Sequence, residues 1–207
     1  MTEEEARLWL VAHLDVPRET LLHLDDFTAL LRREAAHQNL VAASTLDHVW
    51  ARHIVDSAQL LSSARPGPWL DLGSGAGFPG LVVAALTQSP VTLVESRKKR
   101  AAFLDQAAAE LGIGDRVHVR CTRLETMETA SFAVISARAF APLDRLLTLA
   151  HRFSTRETVW LLPKGKNASN ELDAARGTWQ GDFRIVPSVT DADSSILVLS
   201  DVRRRKA

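Results

Sequence analysis

Three glycines at alternating positions constrain this chain more than any other feature. Gly73, Gly75 and Gly77 follow the short apolar run Trp69–Leu72, which is typical of a buried strand. Glycine permits a positive φ and leaves no Cβ between the backbone and a ligand, so the motif predicts a tight turn that approaches a ligand closely. Open parallel sheets bind ligands at the carboxyl ends of their strands. The motif therefore predicts a ligand site at such an edge.

Beyond Pro68, short apolar runs alternate with stretches of helical periodicity. This alternation is typical of an α/β protein whose mostly parallel sheet is covered by helices on both faces. We predict strands at residues 69–72, 91–95, 117–120, 133–136 and 159–162. We predict helices at residues 80–87, 97–111, 143–153 and 167–176. The last two apolar runs have no helix between them, so an antiparallel pair at the sheet edge is expected over residues 183–186 and 195–200.

The residues before the glycine motif are predicted to be helical. Helical periodicity and terminal residues indicate helices at residues 3–14, from Pro17 onwards, and at 46–61. Ser44 or Thr45 is the expected cap of the third helix. A connector rich in proline and glycine ends this region. We therefore predict an N-terminal helical extension over residues 1–65 and a ligand-binding domain over residues 66–207.

The residue that follows the third glycine decides between two classes of cofactor. A dinucleotide site requires G-x-G-x-x-G, and Phe78 stands here in place of its last glycine. Glu95, at the end of the second strand, is able to accept hydrogen bonds from both ribose hydroxyls of a nucleoside. The pattern favours S-adenosylmethionine, with Gly73, Gly75 and Glu95 in contact with it. A nicotinamide-dependent oxidoreductase stays open, although the chain has no tyrosine for a Tyr-x-x-x-Lys pair.

Two further segments are expected at the same edge. The third predicted strand is followed by Arg123, Leu124 and Glu125, and a loop at this position is expected to line the adenine part of the cofactor site. Arg138 follows the fourth strand, and its guanidinium is suited to bidentate binding of a carboxylate or phosphate. Ordinary surface positions are the alternative for all of these side chains.

Local basic clusters, rather than global charge, suggest the substrate. Formal net charge is zero, so any nucleic-acid contact must come from local patches. Arg97, Lys98 and Lys164 belong to clusters expected at the ligand edge, where they would bind the phosphates of a nucleic acid. A third cluster, Arg203–Lys206, is predicted to be a flexible tail. Solvated faces without a partner are the alternative.

Cysteine content and hydropathy limit the remaining classes. Cys121 is the only cysteine, which excludes an intrachain disulfide and a cysteine-rich zinc site, and we expect its side chain to be buried. The acidic N-terminus does not resemble a signal peptide, and no apolar run is long enough to cross a bilayer. A cytoplasmic monomer without membrane contact is expected.

Several motifs together resemble one known family. They are Asn39-Leu40, Arg52–Ser57, Asp71–Gly80, Glu95–Leu104, Ser136–Ala141 and Lys164-Gly165. In this order, over about residues 20–170, they are similar to the bacterial 16S ribosomal RNA guanine-N7 methyltransferases (RsmG, or glucose-inhibited division protein B). The resemblance implies a class I methyltransferase fold, S-adenosylmethionine as cofactor, and 16S ribosomal RNA or the small ribosomal subunit as partner. It carries the cofactor contacts over to Gly73, Phe78, Leu124, Glu125 and Arg138, with Glu95 as the ribose partner.

Methylation of guanine N7 requires no catalytic base, because that nitrogen has a free lone pair and no proton. We therefore predict no catalytic residue and no metal, and expect the protein to position the base and exclude water. His53 and Asp56 are interpreted as hydrogen-bonded packing residues between the extension and the sheet. A methyltransferase of another RNA or of a small molecule, and a non-catalytic RNA-binding module, stay open as alternatives.

Overall fold

The computed structural model describes residues 1–205 and contains one seven-stranded sheet. Its strands are β1 (Trp69–Leu72), β2 (Val91–Glu95), β3 (Val117–Cys121), β4 (Val134–Ala137), β5 (Val159–Lys164), β6 (Trp179–Pro187) and β7 (Ser195–Arg204). They are arranged in the order β3-β2-β1-β4-β5-β7-β6. The first five are parallel, whereas β7 is antiparallel to β5 and to β6. The predicted fold class and antiparallel edge pair are confirmed.

Within residues 1–205, seven α-helices cover this sheet and form much of the N-terminal region. They are α1 (Glu3–Leu14), α2 (Arg18–Ala35), α3 (Asp56–Ala58), α4 (Gly80–Leu86), α5 (Lys98–Glu110), α6 (Leu143–Ala150) and α7 (Ala168–Ala175). α6 continues into a short 3₁₀ turn at His151–Phe153, so the predicted helix at 143–153 changes type near its end. None of the described helices is both long and apolar enough to span a membrane.

Apolar side chains form a separate cluster on each face of the sheet. Leu70 and Leu72 belong to the cluster under α6 and α7, whereas Trp69 belongs to the cluster under α4 and α5. This alternation follows from the two-residue period of a strand, which turns successive side chains to opposite faces. Both faces of β1 are therefore buried, as expected for a central parallel strand.

The N-terminal region packs onto the same cluster as α4 and α5. Leu10 of α1 and Leu24 and Phe27 of α2 are fully buried in it. Glu3 accepts hydrogen bonds from the backbone amides of Trp50 and Ala51, at 3.1 Å each. The first helix is thus joined to the segment that precedes the sheet by both apolar packing and a carboxylate.

The predicted third helix is wrong in type. The chain forms a 3₁₀ helix at Ala43–His48, a π-helix at Trp50–Val55, the short α3, and a second 3₁₀ helix at Gln59–Ser63. The predicted caps are also wrong, because no side chain caps the first turn and Thr45 donates to the Ala42 carbonyl instead. Contacts from distant residues such as Glu3 select this geometry, and local periodicity does not record them.

Two smaller expectations are also wrong. Cys121 is exposed, because it ends β3, which lies at the edge of the sheet. Arg203 and Arg204 of the predicted flexible tail belong to β7, which pairs with β6 as far as the Trp179–Arg204 contact. Lys206, the last residue of that predicted tail, lies outside the described residues.

Replacing Gly80 with alanine is expected to destabilise the fold by about 1–3 kcal/mol, the usual cost of overpacking. A Cβ at Gly80 would meet Leu93 Cδ2 at 2.2 Å and Asp71 Oδ2 at 2.9 Å. Chemical denaturation of Gly80→Ala measures the loss. The matched control is Gly114→Ala, since a Cβ there meets nothing within 4 Å. Equal stability of the two variants would contradict the close approach at Gly80.

Candidate functional site

A buried carboxylate underlies the glycine loop. Asp71 Oδ1 accepts a hydrogen bond from Ser136 Oγ at 2.7 Å, and Asp71 Oδ2 accepts one from the Gly80 amide at 3.3 Å. Trp69 Nε1 donates in turn to Ser136 Oγ at 2.8 Å, and Ser74 Oγ donates to the Asp71 carbonyl at 3.0 Å. Burial raises the pKa of the Asp71 carboxyl. Asp71 therefore connects β1, β4 and the start of α4, which places the loop between them.

The Glu95 carboxylate is held at the end of β2 by two backbone amides. Its Oε2 accepts from Gly75 at 3.2 Å and its Oε1 accepts from Arg97 at 2.8 Å. The side chain is only 6% exposed. Each carboxylate oxygen has two lone pairs, so both retain the capacity to accept another donor. The carboxylate is therefore fixed in position before any ligand binds.

A cavity of about 290 Å³ opens beside Glu95. Four of the predicted cofactor residues line it together: Gly73, Glu95, Leu124 and Glu125. Gly73 has a φ of +66°, and a Cβ there would meet Phe140 at 2.6 Å, so glycine is required for both conformation and space. We call this the cofactor cavity. A fixed carboxylate, an apolar wall at Leu124 and a bare backbone at Gly73 fit a nucleoside.

A larger cavity of about 630 Å³ lies over the ends of β4 and β5, and we call it the acceptor cavity. Phe140 lines both cavities, so they are neighbours. The N-terminal region forms one wall, through residues that include Leu40, Thr45 and His53. The loop between β6 and β7 forms another, through residues that include Asp191. Its size is ordinary for a small-molecule site, where about 300–1,000 Å³ is usual.

Arg138 lies in the acceptor cavity and joins β4 to the N-terminal region. Its Nη1 is 3.0 Å from His53 Nδ1 and 3.5 Å from Asp56 Oδ2. The guanidinium also stands 5.2 Å from the centre of the Phe78 ring. Burial lowers the pKa of the Arg138 guanidinium, while the carboxylates of Asp56 and Asp71 oppose that change. The side chain stays cationic because arginine is not deprotonated in proteins.

His53 is a neutral connector rather than a base. Burial, followed by the charges of Arg138 and Arg52, lowers its pKa to about 3. Because Arg138 donates to Nδ1, the proton is assigned to Nε2, which faces Thr45 Oγ1 at 2.8 Å. Both ring nitrogens are engaged, and the ring stacks on Phe78 with centroids 4.8 Å apart. His53 is thus hydrogen-bonded and packed between the N-terminal region and the sheet, and its lack of a catalytic role stays a prediction.

Asp56 connects the N-terminal region to the β6–β7 loop. Its Oδ1 accepts from Thr190 Oγ1 at 3.1 Å and from Gln59 Nε2 at 3.0 Å. Nearby, Arg52 Nη1 and Asp191 Oδ2 form an ion pair at 2.9 Å. Asp56 is thus hydrogen-bonded between these segments, and its lack of a catalytic role also stays a prediction. These contacts join two walls of the acceptor cavity, the N-terminal region and the β6–β7 loop.

Lys164, at the end of β5, is turned into the protein. Its Nζ donates to the Ala141 carbonyl at 3.1 Å and to Glu171 Oε2 at 2.8 Å, and its side chain is 12% exposed. The same Glu171 oxygen accepts from the Leu143 amide at 2.9 Å. Lys164 therefore lies in the wall of the acceptor cavity together with a carboxylate.

The remaining predicted site residues line neither cavity among the described residues. The Phe78 side chain is 3% exposed and packs against Phe27 and His53, and Gly75 contributes its amide to Glu95. Arg97 and Lys98 have exposed side chains beside Glu95, at the start of α5. Their contacts with cofactor or substrate stay predictions.

Among the cavity residues that sequence reasoning missed, Phe140 and Glu171 are the most informative. Phe140 stands two positions after Arg138 and separates the cavities, and Glu171 carries a carboxylate into the larger one. Phe140 belongs to the Ser136–Ala141 motif that follows a predicted strand, which is a signal for it, whereas the helical pattern around Glu171 contains none. Within residues 1–205, no group of three or more His, Cys, Asp or Glu side chains is arranged to hold a metal ion.

Known proteins similar to this chain have consistent descriptions. A family model described as rRNA small subunit methyltransferase G matches residues 21–196. The chain is 56% identical to a ribosomal RNA small subunit methyltransferase G from Rhizorhabdus wittichii, over 99% of this chain and 95% of that protein. It is 53% identical to the protein of the same name from Zymomonas mobilis, over 100% of this chain and 97% of that protein.

Solved structures are similar in fold at low sequence identity. One is a putative S-adenosylmethionine-dependent methyltransferase from Methanococcus maripaludis, with a TM-score of 0.60 and 10% identity over 80% of this chain and 94% of that one. Another is a ribosomal protein L11 methylase from Lactobacillus delbrueckii, with a TM-score of 0.58 and 15% identity over 73% and 77%. These likenesses establish the class I methyltransferase fold.

The low pKa of His53 predicts a pH-dependent stability. A histidine that titrates near 6.5 when unfolded and about 3 when folded stabilises the fold fully above pH 6.5, and this contribution is lost as pH falls towards 3. Each pH unit in that window costs about 1.4 kcal/mol. His53→Gln retains an acceptor and a donor in its amide. Between pH 6.5 and pH 5, we expect its free energy of unfolding to fall by about 2 kcal/mol less than that of the wild type.

Chemical denaturation at the two pH values measures this difference. His37→Gln, which replaces an exposed histidine, is the matched control and should follow the wild type. The same pH dependence in wild type and His53→Gln would show that His53 is not a buried neutral residue.

Proposed function

The chain belongs to the rRNA small subunit methyltransferase G family, and from this premise we propose that it transfers the methyl group of S-adenosylmethionine to N7 of a guanine in 16S ribosomal RNA. One structural observation carries the proposal. A fixed Glu95 carboxylate lines a nucleoside-sized cavity that adjoins a larger cavity across Phe140. A cofactor and an acceptor base require two such adjacent sites.

The cofactor cavity suits the nucleoside part of S-adenosylmethionine. Glu95 would accept hydrogen bonds from the two ribose hydroxyls, since its carboxylate is already oriented by the Gly75 and Arg97 amides. Leu124 and Glu125 would contact the adenine from the loop after β3, and Gly73 lets the backbone approach. When bound, the cofactor supplies an electrophilic methyl group on a positively charged sulfur.

The methionine end of the cofactor would reach towards Arg138. This guanidinium follows β4, two positions before Phe140 in sequence, and both side chains line the acceptor cavity. Its Nη1 is engaged with His53 and Asp56, which fixes the plane of the guanidinium. The remaining N–H groups are donors suited to a carboxylate. We assign Arg138 to the cofactor carboxylate or to an RNA phosphate beside it.

The side chains of this site position the reactants and exclude water. Guanine N7 needs no deprotonation, and His53 has both ring nitrogens engaged, so it is not available as a base. An enzyme that methylates a base must take it out of its stack and hold it in a closed pocket. The acceptor cavity, walled by the N-terminal region and the β6–β7 loop, would provide that pocket.

The RNA backbone is assigned to basic side chains outside the cofactor cavity. Arg97 and Lys98 are exposed at the start of α5, beside Glu95, where they would contact phosphates near the flipped nucleotide. Lys164 would act from inside the acceptor cavity, where its Nζ lies at 2.8 Å from Glu171. Its Nζ is engaged by the Ala141 carbonyl and Glu171, so we assign it to the wall beside the bound base rather than to distant phosphates.

The division of the chain into residues 1–65 and 66–207 is part of this proposal. In it, the N-terminal extension completes the acceptor cavity with side chains such as Leu40 and His53, while the second part holds the cofactor. The partner is the small ribosomal subunit or its RNA. We expect the protein to act as a cytoplasmic monomer.

Deletion of the gene is expected to remove one 7-methylguanosine from 16S ribosomal RNA. Wild type and Gly114→Ala should restore it, whereas Gly73→Asp should not, because Gly73 has a φ of +66° and a Cβ there meets Phe140 at 2.6 Å. Mass spectrometry of nuclease digests of the RNA measures the modified nucleoside. Full methylation in the deletion strain would refute the substrate assignment.

Replacing Glu95 with glutamine is expected to weaken S-adenosylmethionine binding about 10- to 100-fold. The amide has one acceptor oxygen for two backbone amides and two ribose hydroxyls, and hydrogen bonds to a charged group contribute about 1.5–3 kcal/mol. Calorimetric titration measures the dissociation constant. Glu110→Gln, at the exposed end of α5, is the control. Binding of a nicotinamide dinucleotide instead of S-adenosylmethionine would favour the oxidoreductase alternative.

A further inference from the structure

Among residues 1–205, three carboxylates line the acceptor cavity, and they differ in how many of their oxygens are free to accept a hydrogen bond from a ligand. They belong to Asp56 before the sheet, Glu171 on α7 and Asp191 in the β6–β7 loop. A ligand base in this cavity meets the oxygens that have no protein donor. The hydrogen bonds of each carboxylate therefore indicate which of them is available to read the base.

Asp56 and Asp191 are engaged at both oxygens. Asp56 Oδ1 accepts from Gln59 and Thr190, and its Oδ2 faces the Arg138 guanidinium at 3.5 Å. Asp191 Oδ1 accepts from the Asp193 amide at 3.0 Å, and its Oδ2 pairs with Arg52 at 2.9 Å. Both side chains hold the walls of the cavity together.

Glu171 is engaged at one oxygen. Its Oε2 accepts from the Leu143 amide at 2.9 Å and from Lys164 Nζ at 2.8 Å. Its Oε1 accepts no hydrogen bond from residues 1–205, and the side chain lines the acceptor cavity and is 27% exposed. One oxygen thus anchors the carboxylate, and the other keeps two lone pairs for a ligand.

The sheet order places Glu171 on the far side of Phe140 from the cofactor. The cofactor cavity lies over the ends of β1, β2 and β3, whereas Lys164 and Glu171 follow β5, with β4 between. A base held between them has one edge towards the methyl donor and the opposite edge towards Glu171. For guanine with N7 at the donor, the N2 amino group lies on the far side of the base, and the N1–H adjoins it on the Watson–Crick edge.

We propose that Glu171 is a specificity-determining residue, an inference that rests on the proposed function. Its Oε1 accepts hydrogen bonds from the N1–H and the N2 amino group of the acceptor guanine. The two lone pairs of Oε1 match these two neighbouring donors. Adenine presents an acceptor at N1 and has no amino group at C2, so it would leave this oxygen unsatisfied in a closed cavity. Lys164 is a positioning residue, since its ammonium holds Oε2 and so directs Oε1 towards the base.

A comparison of guanosine with inosine at the target position tests this assignment, because inosine lacks the N2 amino group and keeps N7. Small subunits are reconstituted with 16S ribosomal RNA that contains either nucleoside at that site. Transfer of radioactive methyl from S-adenosylmethionine gives kcat/KM for wild type, Glu171→Gln and Glu128→Gln. Glu128 is an exposed carboxylate outside both cavities and serves as the matched control.

We expect wild type and Glu128→Gln to lose about 10- to 100-fold in kcat/KM when inosine replaces guanosine, the usual effect of losing a hydrogen bond to a charged group. Glu171→Gln should be slower on guanosine and should lose less than about threefold on inosine. The loss is the ratio of kcat/KM on guanosine to kcat/KM on inosine for the same variant. A smaller folded fraction lowers both values equally and does not change this ratio. An equal loss in Glu171→Gln and wild type would overturn the role of Glu171.

Two further measurements separate this inference from its premise. No methylation of guanosine-containing subunits by wild type would refute the proposed function itself. Unchanged S-adenosylmethionine affinity in Glu171→Gln would assign its defect to the acceptor. If the glutamine variant does not fold, Glu171→Asp takes its place, because it keeps a carboxylate on a shorter side chain. Its loss in kcat/KM on inosine should fall between the losses expected for wild type and for Glu171→Gln. A loss equal to that of wild type would again overturn the role.

Discussion

The ligand edge of this sheet depends on one fully buried carboxylate. Asp71 accepts hydrogen bonds from Ser136 on the neighbouring strand and from the Gly80 amide at the start of α4. A carboxylate without water is costly unless donors surround it. These donors must therefore stay in place, and they fix β1, β4 and the glycine loop relative to one another. The positions of Gly73 and Phe140 follow from that arrangement, as does the boundary between the two cavities.

A second set of polar contacts couples the N-terminal region to the same edge. Arg138 at the end of β4 contacts His53 and Asp56, and Asp56 accepts from Thr190 in the β6–β7 loop. The acceptor cavity is thus enclosed by segments far apart in sequence and joined by charge-assisted hydrogen bonds. Such bonds are directional and stronger than neutral ones. The cavity is accordingly a product of the whole chain rather than of the sheet alone.

Much of the fold was predictable from local patterns. The strands around Asp71 and Glu95 were predicted with their observed bounds, because central parallel strands are continuous apolar runs that end in distinctive residues. The segment at 46–61 was predicted as one helix and is a succession of 3₁₀, π and α turns. Its geometry depends on Glu3, which caps Trp50 and Ala51 from a distant helix. Periodicity within the segment carries no trace of that contact.

The features of the site also fall into those that local sequence predicts and those that it does not. The sheet, the glycine turn and the acid at the end of β2 were predictable, since each depends on residues close together in the chain. The contacts of Arg138 with His53 and Asp56, the inward direction of Lys164 and the free oxygen of Glu171 in the acceptor cavity are visible only in the folded chain. The physical reason is that a side chain's hydrogen-bond partners come from whatever elements pack against it. Packing is a property of the folded chain, and residue types alone do not specify it.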